Sequence, residues 1–382
     1  MDTITVPQGR FALARYPVRK AETLRAWDAA DEYLLAHLAT EEVLGPDRVV
    51  LVVNDDSGVL GVALAGSRPT SFGDSYLSRR ATEENLLRNG LEADAVSWLS
   101  PLQALPERID VVLMKVPKSL SLLEDQLHRI APRLGADSTV VAAAMSKHIH
   151  TSTLELFERL VGPTRTSLAV KKARLILVEP DPTLDPGPTP WPTTYSLPDG
   201  QVITSHAGVF SPERLDIGTR FLLDHLPGSD EPMRVVDLGC GNGVVGTVVA
   251  LRNPNADLTF VDDSYLAVAS AEATYRANLG AARAAEFIVG NGLLDLSGGA
   301  AIEPGTVDLV LNNPPFHVNH AIGDQVAWQM FSDARVALCP GGELWVVGNR
   351  HLAYHAKLKR LFGNCDVVAS NSKFVLLRSV QA

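Results

Sequence analysis

A glycine-rich turn between an apolar strand and a helix of small residues constrains the fold of this chain more than any other feature. The turn lies within Arg234–Gly246, and its glycines are Gly239, Gly241 and Gly243. Glycine lets the backbone come close to a ligand because no Cβ stands in the way. A strand that passes through such a turn into a helix is typical of α/β folds, which bind ligands beyond the carboxyl ends of their parallel strands.

Acidic and amide residues stand at the ends of the predicted strands around this turn. Asp237 comes just before the glycines, where it would repel a pyrophosphate but would pair with the ammonium of a methionine-type cofactor. A second apolar strand, Leu258–Val261, ends in Asp262-Asp263, where a ribose-binding acid is expected. A third strand, Glu286–Asn291, has an amide at its tip. This order and spacing resemble the class I S-adenosylmethionine-dependent methyltransferases.

A fourth apolar strand, Val307–Leu311, leads into a proline-rich acceptor loop, Asn313-Pro314-Pro315-Phe316. The first proline restrains Asn313 to an extended backbone, and the prolines leave backbone carbonyls free as acceptors. The Asn313 side chain adds a neutral carbonyl, and Phe316 adds an aromatic face. Since two acceptors and a stacking ring suit a planar amine, the predicted catalytic residues are Asn313, Pro314, Pro315 and Phe316. The predicted cofactor-binding residues are Asp237, Gly239, Gly241, Gly243, Asp262, Asp263, Asn291 and Asn313.

The chain contains the same arrangement of segments twice, on either side of a proline-rich stretch. Ile109–Lys118 parallels Val307–Phe316, and Phe72–Leu77 parallels Phe260–Leu266. Between the copies, residues 179–192 carry six prolines, a composition that stiffens a linker into extended segments. We therefore predict an α/β chain of two tandem Rossmann-like domains, residues 1–180 and 193–382, with a linker at residues 181–192.

The first copy keeps the strands of the second copy but not its chemistry. Asn54–Gly61 stands at the glycine turn with few of the glycines, and Lys115–Lys118 stands at the acceptor loop without asparagine or an aromatic residue. Lysine carries only donors, so it cannot accept a hydrogen bond from an amine. The first domain is therefore predicted to be degenerate. It is either a structural remnant or a surface whose lysines hold phosphate groups, the candidates being Lys115, Lys118, Lys171 and Lys172.

Composition limits the class of protein. The chain has 382 residues and a net charge of −10, which argues against indiscriminate binding of polyanions but not against local basic patches. No apolar run approaches the roughly 20 residues of a membrane span, and the N-terminus lacks a signal pattern. The chain has three cysteines without paired spacing, which predicts a cytoplasmic protein. It also has two histidines one helical turn apart, His351 and His355, but no further metal ligands beside them, so we predict no metal site. We expect it to be a monomer.

Several segments resemble the ribosomal RNA guanine-N2 methyltransferases, most closely those that act on the large-subunit (23S) RNA. These segments are Trp27–Leu35, Lys115–Lys118, His150–Glu158 and Asn313–His317. The resemblance implies two tandem methyltransferase domains, of which the second binds S-adenosylmethionine. It also implies transfer of a methyl group to the exocyclic N2 of one guanine. That base would be flipped out of its stack, laid on Phe316, and oriented by Asn313 and the Pro314 carbonyl.

Further residues could contact the cofactor or the RNA. Residues 206–211 and 215–219 resemble the segment that closes over the cofactor, and Phe210 within it could line the pocket. His317 follows the acceptor loop directly, and Arg350 belongs to a basic stretch near the C-terminus. We therefore expect Phe210, His317 and Arg350 as substrate-binding residues, together with the lysines of the first domain.

Three alternatives remain open from the sequence. The substrate could be the small-subunit (16S) RNA. The enzyme could methylate a protein glutamine, as release-factor methyltransferases with a similar Asn-Pro-Pro loop do, although these usually carry tyrosine in place of Phe316 and lack a duplicated half. The chain could also be an RNA-binding assembly factor without activity, although such a protein has no need to keep Asp237, Asp262 and Asn313.

Overall fold

The structure is a computed structural model, and it describes residues 2–19, 22–41, 43–45, 47–296, 302–315 and 320–382, without the side chains of residues 320–322. The chain divides into two compact units, Met1–Trp191 and Pro192–Ala382. None of the helices in the described ranges is long and apolar enough to cross a bilayer.

The first unit combines a short hairpin with one large sheet. Its elements are β1 (Asp2–Val6), β2 (Gly9–Leu13), α1 (Ala29–Glu41), β3 (Val50–Val53), α2 (Val59–Ala63), β4 (Thr70–Phe72), α3 (Tyr76–Arg88), β5 (Ser97–Leu99), β6 (Ile109–Lys115), α4 (Leu120–Ile130), β7 (Leu134–Met145), α5 (Thr151–Leu160), β8 (Thr164–Thr166) and β9 (Ala173–Val178). The hairpin is β1–β2, and the sheet has the order β5-β4-β3-β6-β7-β9-β8. Neighbouring strands are parallel from β5 to β7, whereas β9 is antiparallel to both of its neighbours.

The second unit repeats this plan. Its elements are β10 (Thr193–Ser196), β11 (Val202–Ser205), α6 (Ile217–Leu223), β12 (Met233–Leu238), α7 (Val244–Arg252), β13 (Ala256–Asp262), α8 (Tyr265–Leu279), β14 (Glu286–Asn291), β15 (Asp295–Leu296), β16 (Val307–Asn312), α9 (His320–Ala337), β17 (Leu338–Asn349), α10 (Tyr354–Phe362), β18 (Asp366–Ser370) and β19 (Phe374–Val380). The hairpin is β10–β11, and the sheet has the order β15-β14-β13-β12-β16-β17-β19-β18.

Apart from β15 at one edge, the two sheets have the same strand order. The first strand of each sheet, β3 or β12, lies in the centre, and the strand order reverses beside it. This is a doubly wound α/β arrangement. The predicted fold of two tandem Rossmann-like domains is confirmed, and the predicted strands at 258–261 and 307–311 extend to Ala256–Asp262 and Val307–Asn312.

The pairing register shows which residues of the two units are equivalent. The last residue of β3 lies opposite Met114, and the last residue of β12 lies opposite Asn312. The residues that follow, Lys115 and Asn313, therefore occupy equivalent places. This agrees with the parallel that the sequence suggested between residues 109–118 and 307–316.

The central strands are covered on both faces, which explains why they consist almost entirely of apolar residues. All four residues of β3 are buried, and so are the last four residues of β12. The exception among them is Asp237, a carboxylate within the core run that has only 3% of its surface exposed. Burial of a charged group is costly unless it is compensated by hydrogen bonds or a counter-charge.

The turn after each central strand lies against a neighbouring helix with no room for a side chain. A Cβ built on Gly243, whose φ is 72°, would lie 2.6 Å from the Cα of Ala271 in α8. A Cβ built on Gly58, whose φ is also 72°, would lie 2.6 Å from the Cα of Thr82 in α3. Only glycine fits a left-handed backbone at this separation. Both units therefore keep a glycine here because of packing.

The proline-rich stretch predicted as a linker packs on the first unit. The Asp181 amide donates to the Val161 carbonyl at 2.8 Å, and the Thr189 hydroxyl donates to Asp125 Oδ1 at 2.8 Å. The chain divides after Trp191, close to the end of the predicted linker. Composition indicates that such a stretch is extended, but it does not indicate that the stretch docks on a neighbouring helix.

We predict that Gly243→Ala destabilises the second unit by about 2–5 kcal/mol. A left-handed backbone costs a residue with a Cβ about 1–2 kcal/mol, and overpacking against α8 adds about 1–3 kcal/mol. Gly363→Ala is the matched control, because Gly363 has a φ of 80° but no atom within 4 Å of where its Cβ would lie. Urea unfolding should therefore show a smaller loss in the control. Equal losses would contradict the close approach to α8.

Candidate active site

Polar side chains of the second unit gather at the carboxyl ends of three parallel strands. The strands are β12, β13 and β16, and β12 lies between the other two. In sheets of this order, ligands bind in the crevice beside the strand where the order reverses. Asp237, Asp262 and Asn313, all predicted from the sequence, stand at or next to these strand ends.

The glycine turn presents open backbone on this edge of the sheet. Gly239 and Gly241 have φ angles of 73° and 54°. A Cβ built on Gly241 would meet no described atom within 4 Å, so the turn is open at that residue. A ligand can therefore approach the backbone at Gly241, whereas Gly243 is required by packing.

Asp262 links the end of β13 to the glycine turn. Its Oδ2 accepts from the Gly241 amide at 3.0 Å, and its Oδ1 accepts from the Ser264 amide at 3.0 Å. Burial raises the pKa of this carboxyl above its ordinary value. Each carboxylate oxygen has more than one lone pair, so hydroxyl donors from a ligand can be accommodated in addition to the backbone amides.

Asp237 lies beneath the turn, and its carboxylate receives a helix amide. Its Oδ2 accepts from the Gly246 amide in the first turn of α7 at 2.8 Å. Burial, with a contribution from the negative charge of Asp262, raises the pKa of Asp237 to about 7. A cation beside such a carboxyl favours its ionised form. The environment therefore fits a residue that pairs with an ammonium group.

Asn313 is fixed by a hydrogen bond at one end of its amide and has an unpaired acceptor at the other. Its Nδ2 donates to Thr219 Oγ1 in α6 at 3.0 Å. Its Oδ1 is buried and accepts no hydrogen bond from the described residues. A buried acceptor without a partner costs about 1–3 kcal/mol, which a ligand donor would recover. This carbonyl therefore offers an acceptor to the amine or hydroxyl of a ligand.

Two residues of the site were not singled out from the sequence. Thr219 holds the Asn313 amide, and its own backbone amide donates to Asp216 Oδ2, which caps α6. Asn312 donates from Nδ2 to the Leu238 carbonyl at 2.7 Å and so ties the end of β16 to the start of the glycine turn. Two features of the sequence could have indicated them. Thr219 lies in the segment 215–219, which resembles one that closes over a cofactor, and Asn312 directly precedes Asn313.

The remaining predicted residues have varied environments. Pro314 is buried and Pro315 is exposed, and Asn291 is half-buried at the end of β14. Phe210 is 50% exposed, which is unusual for a phenylalanine. Arg350 is exposed and donates to the Asn371 carbonyl. Phe316 and His317 lie outside the described residues. Within the described ranges, no three His, Cys, Asp or Glu side chains come together as a metal site would require.

In the first unit, an ion pair stands at the place of the acceptor. Lys115, equivalent to Asn313, pairs through Nζ with Asp28 Oδ1 and Asp31 Oδ1 at 2.8 Å each. Burial opposes the charged form of Lys115, but the two carboxylates outweigh it and raise its pKa. Two of its three donors are therefore already used inside the unit. Lys171 also has an acidic partner, Glu32, at 2.6 Å, but this lysine is exposed.

Two further places of the first unit compare differently with the second: one keeps its contact and the other is filled. Asp55 accepts from the Val59 and Gly61 amides at 2.8 Å each, as Asp237 accepts from the equivalent helix of its own unit. A Cβ built on Gly73, which stands where the second unit has Asp262, would lie 3.2 Å from the Trp98 ring. The first unit thus has neither the acid at this strand end nor a free acceptor at position 115.

Comparison with known proteins agrees with this division. Residues 1–182 match a family model described as the RLMG N-terminal domain, and residues 200–378 match the methyltransferase small domain. The ribosomal RNA large subunit methyltransferase G of Streptomyces avermitilis is 56% identical, over 100% of this chain and 99% of that protein. The protein of the same name from Stutzerimonas stutzeri is 48% identical over 100% of both chains.

A solved structure has a similar fold over the whole chain. It is the 16S rRNA N2 G1207 methyltransferase RsmC of T. thermophilus, in complex with AdoMet and guanosine. The TM-score is 0.77 at 20% identity, over 100% of this chain and 98% of that one, so the likeness is one of fold. The identity to the curated relatives over their full length is what decides the family. The chain belongs to the family of ribosomal RNA large subunit methyltransferase G.

Proposed function

We propose that the second unit transfers a methyl group from S-adenosylmethionine to the exocyclic N2 of a guanine in 23S rRNA. Membership of the family makes the chain an rRNA methyltransferase with S-adenosylmethionine as its cofactor. The observation that carries the finer proposal is Asn313 Oδ1, a buried acceptor directly after the strand end that hydrogen-bonds the start of the glycine turn. An exocyclic amine is the donor that it suits, and RsmC, which has a similar fold, is an N2 G methyltransferase.

The strand-end residues fit this cofactor. We assign the methionine ammonium to Asp237, the ribose hydroxyls to Asp262, and the close backbone approach to Gly239 and Gly241. The remaining residues of the proposed set, at the ends of β13 and β14, are Asp263 and Asn291. When bound, the cofactor supplies a methyl group that its positive sulfur has already activated. The chain's own residues therefore have to bind the cofactor and align the acceptor amine with its methyl group.

We predict that Asp262→Asn lowers the affinity for S-adenosylmethionine about ten- to a hundredfold, because a charge-assisted hydrogen bond is worth roughly 1.5–3 kcal/mol. Asp257→Asn is the matched control, since Asp257 is an exposed carboxylate near the opposite end of β13. Calorimetric titration of both variants measures the two affinities. Wild-type affinity in Asp262→Asn would remove this residue from the cofactor site.

The loop after β16 is proposed to align the guanine amine that accepts the methyl group. We propose that Asn313 Oδ1 and the Pro314 carbonyl accept from the two N2 hydrogens and turn the nitrogen lone pair toward the methyl group. A paired guanine cannot present its amine to a buried acceptor, so the base has to leave its stack. Phe316 would then stack on the base, as aromatic residues do with splayed RNA bases. Orientation of the two reacting groups is itself a large catalytic effect.

We predict that Asn313→Ala nearly abolishes methyl transfer and has little effect on S-adenosylmethionine affinity, because the amine loses the group that orients it. The measurement is single-turnover transfer to 23S rRNA taken from a strain that lacks the gene. Asn255→Ala, at an exposed asparagine before β13, is the control and should transfer at the wild-type rate.

A second substrate makes this test specific for N2. After the methylated nucleotide has been mapped by mass spectrometry, the RNA is prepared with inosine at that position. Inosine lacks the N2 amine, so the wild-type enzyme should transfer nothing to it. Methylation at the inosine would show that the acceptor is a ring or ribose atom.

The choice of 23S over 16S RNA is supported by the relatives at 47–56% identity, which are named for the large subunit. The neighbour named for 16S RNA is only 20% identical. Methylation of a release factor has no such support, because the matching relatives share the duplicated first half and are named for ribosomal RNA. An RNA substrate also supports the cytoplasmic location expected from the sequence.

We further propose that exposed cations of the first unit contact RNA phosphates. Lys171 and Lys172 form the two-residue tip between Val170 and Ala173, and their φ angles are 48° and 67°. Such turns favour Asn-Gly, so two lysines there are unfavourable for folding and point to a role outside the fold. The Lys171–Glu32 pair is exposed and can therefore exchange for a phosphate at little cost.

A second group of cations lies at the carboxyl edge of the first sheet. Lys118 and Lys147 are exposed and stand near His148, whose pKa is lowered first by partial burial and then by these positive charges. Lys115, which was expected to bind phosphate, is left out of the proposal because two carboxylates hold it. The proposed phosphate contacts are Lys118, Lys147, Lys171 and Lys172.

We predict that Lys118→Ala and Lys172→Ala each reduce the dependence of RNA affinity on salt. Each lost phosphate contact should lower the slope of log K against log salt by about 0.7–0.9. Arg68→Ala removes an exposed charge just before β4, at the amino end of the same sheet, and should leave the slope unchanged. Fluorescence anisotropy with 23S rRNA over a series of salt concentrations measures the slope for each variant. Unchanged slopes in both lysine variants would remove Lys118 and Lys172 from the proposed phosphate contacts.

A further inference from the structure

The contact that holds Asn313 has a counterpart in the first unit. Asn313, after β16, donates from Nδ2 to Thr219 of α6 at 3.0 Å. Lys115, at the end of β6, pairs with Asp31 of α1 at 2.8 Å. In both units, the helix residue lies three positions after an aspartate that accepts its backbone amide. The same position of the fold therefore joins a helix to a strand end in each unit, with different chemistry.

We propose that Thr219 is a positioning residue that fixes which way the Asn313 amide faces, so that Oδ1 meets the acceptor amine. The inference rests on the proposed function, because it concerns the group that receives the hydrogen bond from N2. An amide that could reverse would present its NH2 group to the base in one orientation. Two donors cannot bond to each other, so that orientation would be unproductive.

The surroundings of Thr219 decide the direction of its hydrogen bond. Its backbone amide donates to Asp216 Oδ2 at 3.0 Å, and its hydroxyl lies 3.5 Å from the same oxygen. The separation is long for a hydrogen bond, but the carboxylate is a negatively charged acceptor that attracts the hydroxyl proton, so the Oγ1 lone pairs remain for Asn313. Only the NH2 end of the amide can use those lone pairs. Thr219 is also buried, with 5% of its surface exposed, which limits competition from water.

The first unit shows that the contact alone does not make an acceptor. There, Lys115 spends its donors on Asp28 and Asp31, and its side chain has no lone pair to offer a ligand. Helix and strand are joined in both units, but only the threonine–asparagine pair satisfies one end of a side chain and leaves an acceptor at the other. The two contacts thus differ in whether the strand-end side chain keeps a free acceptor, and only the unit proposed to be catalytic has one.

The test compares variants of the full chain in single-turnover methyl transfer to 23S rRNA. Thr219→Val keeps the shape of the side chain and removes the hydroxyl, and it should slow transfer about 100-fold, as misplacement of a reacting group does. S-adenosylmethionine and RNA affinities should stay at wild-type values. Thr219→Ser keeps the hydroxyl and should restore most of the rate. Thr247→Val is the matched control, since Thr247 is fully buried in α7 and its hydroxyl has no hydrogen-bond partner among the described residues.

The double variant Thr219→Val/Asn313→Ala separates the outcomes. Its residual rate should equal that of Asn313→Ala, because the threonine acts only through the asparagine. A wild-type rate in Thr219→Val, an equal defect in Thr219→Ser, or a loss of S-adenosylmethionine affinity that explains the slower transfer would overturn the positioning role. Full activity in Asn313→Ala would instead overturn the proposed function of the acceptor loop.

Discussion

The close packing of a turn against a helix, at Gly243, is the constraint on which the second unit depends. Because α8 leaves no room for a side chain there, the turn between β12 and α7 lies directly against the helix that follows β13, and β12 pairs with β13 along its whole length. The strand ends that carry Asp237 and Asp262 are thereby kept side by side. The same contact occurs at Gly58 in the first unit. It is a requirement of packing, so it persists in the first unit, which lacks both the acid at the end of the second strand and the free acceptor of the loop.

The two units differ in how the polar groups above this shared frame are satisfied. In the second unit, buried or half-buried acceptors remain that the chain itself does not saturate, above all Asn313 Oδ1. In the first unit, the equivalent place is held by Lys115 and two carboxylates, so protein groups neutralise one another. Asp55 captures helix amides as Asp237 does, which shows that this role of the carboxylate belongs to the fold. The first unit has therefore lost the site because its polar groups bond to other groups of the protein, where those of the second unit stay free for a ligand.

The sequence predicted those features that depend on neighbouring residues. The strands around Asp237 and Asn313, and the glycine turn, follow from short-range patterns of apolar residues and glycine. The partners of the site residues could not be predicted in this way. Thr219 lies 94 residues before the asparagine that it holds, and Asp28 lies 87 residues before Lys115. A lysine that looked available for phosphate was therefore buried in an ion pair, because only the folded chain brings the two segments together.

The hydrogen bond from Asn312 to the Leu238 carbonyl, 2.7 Å long, joins the strand before the acceptor loop to the start of the glycine turn. The two halves of the proposed reaction centre are therefore joined by the protein itself, before any RNA binds. For the proposed guanine substrate, discrimination among the many guanines of a ribosomal RNA then depends on which nucleotide can be delivered to this edge of the sheet.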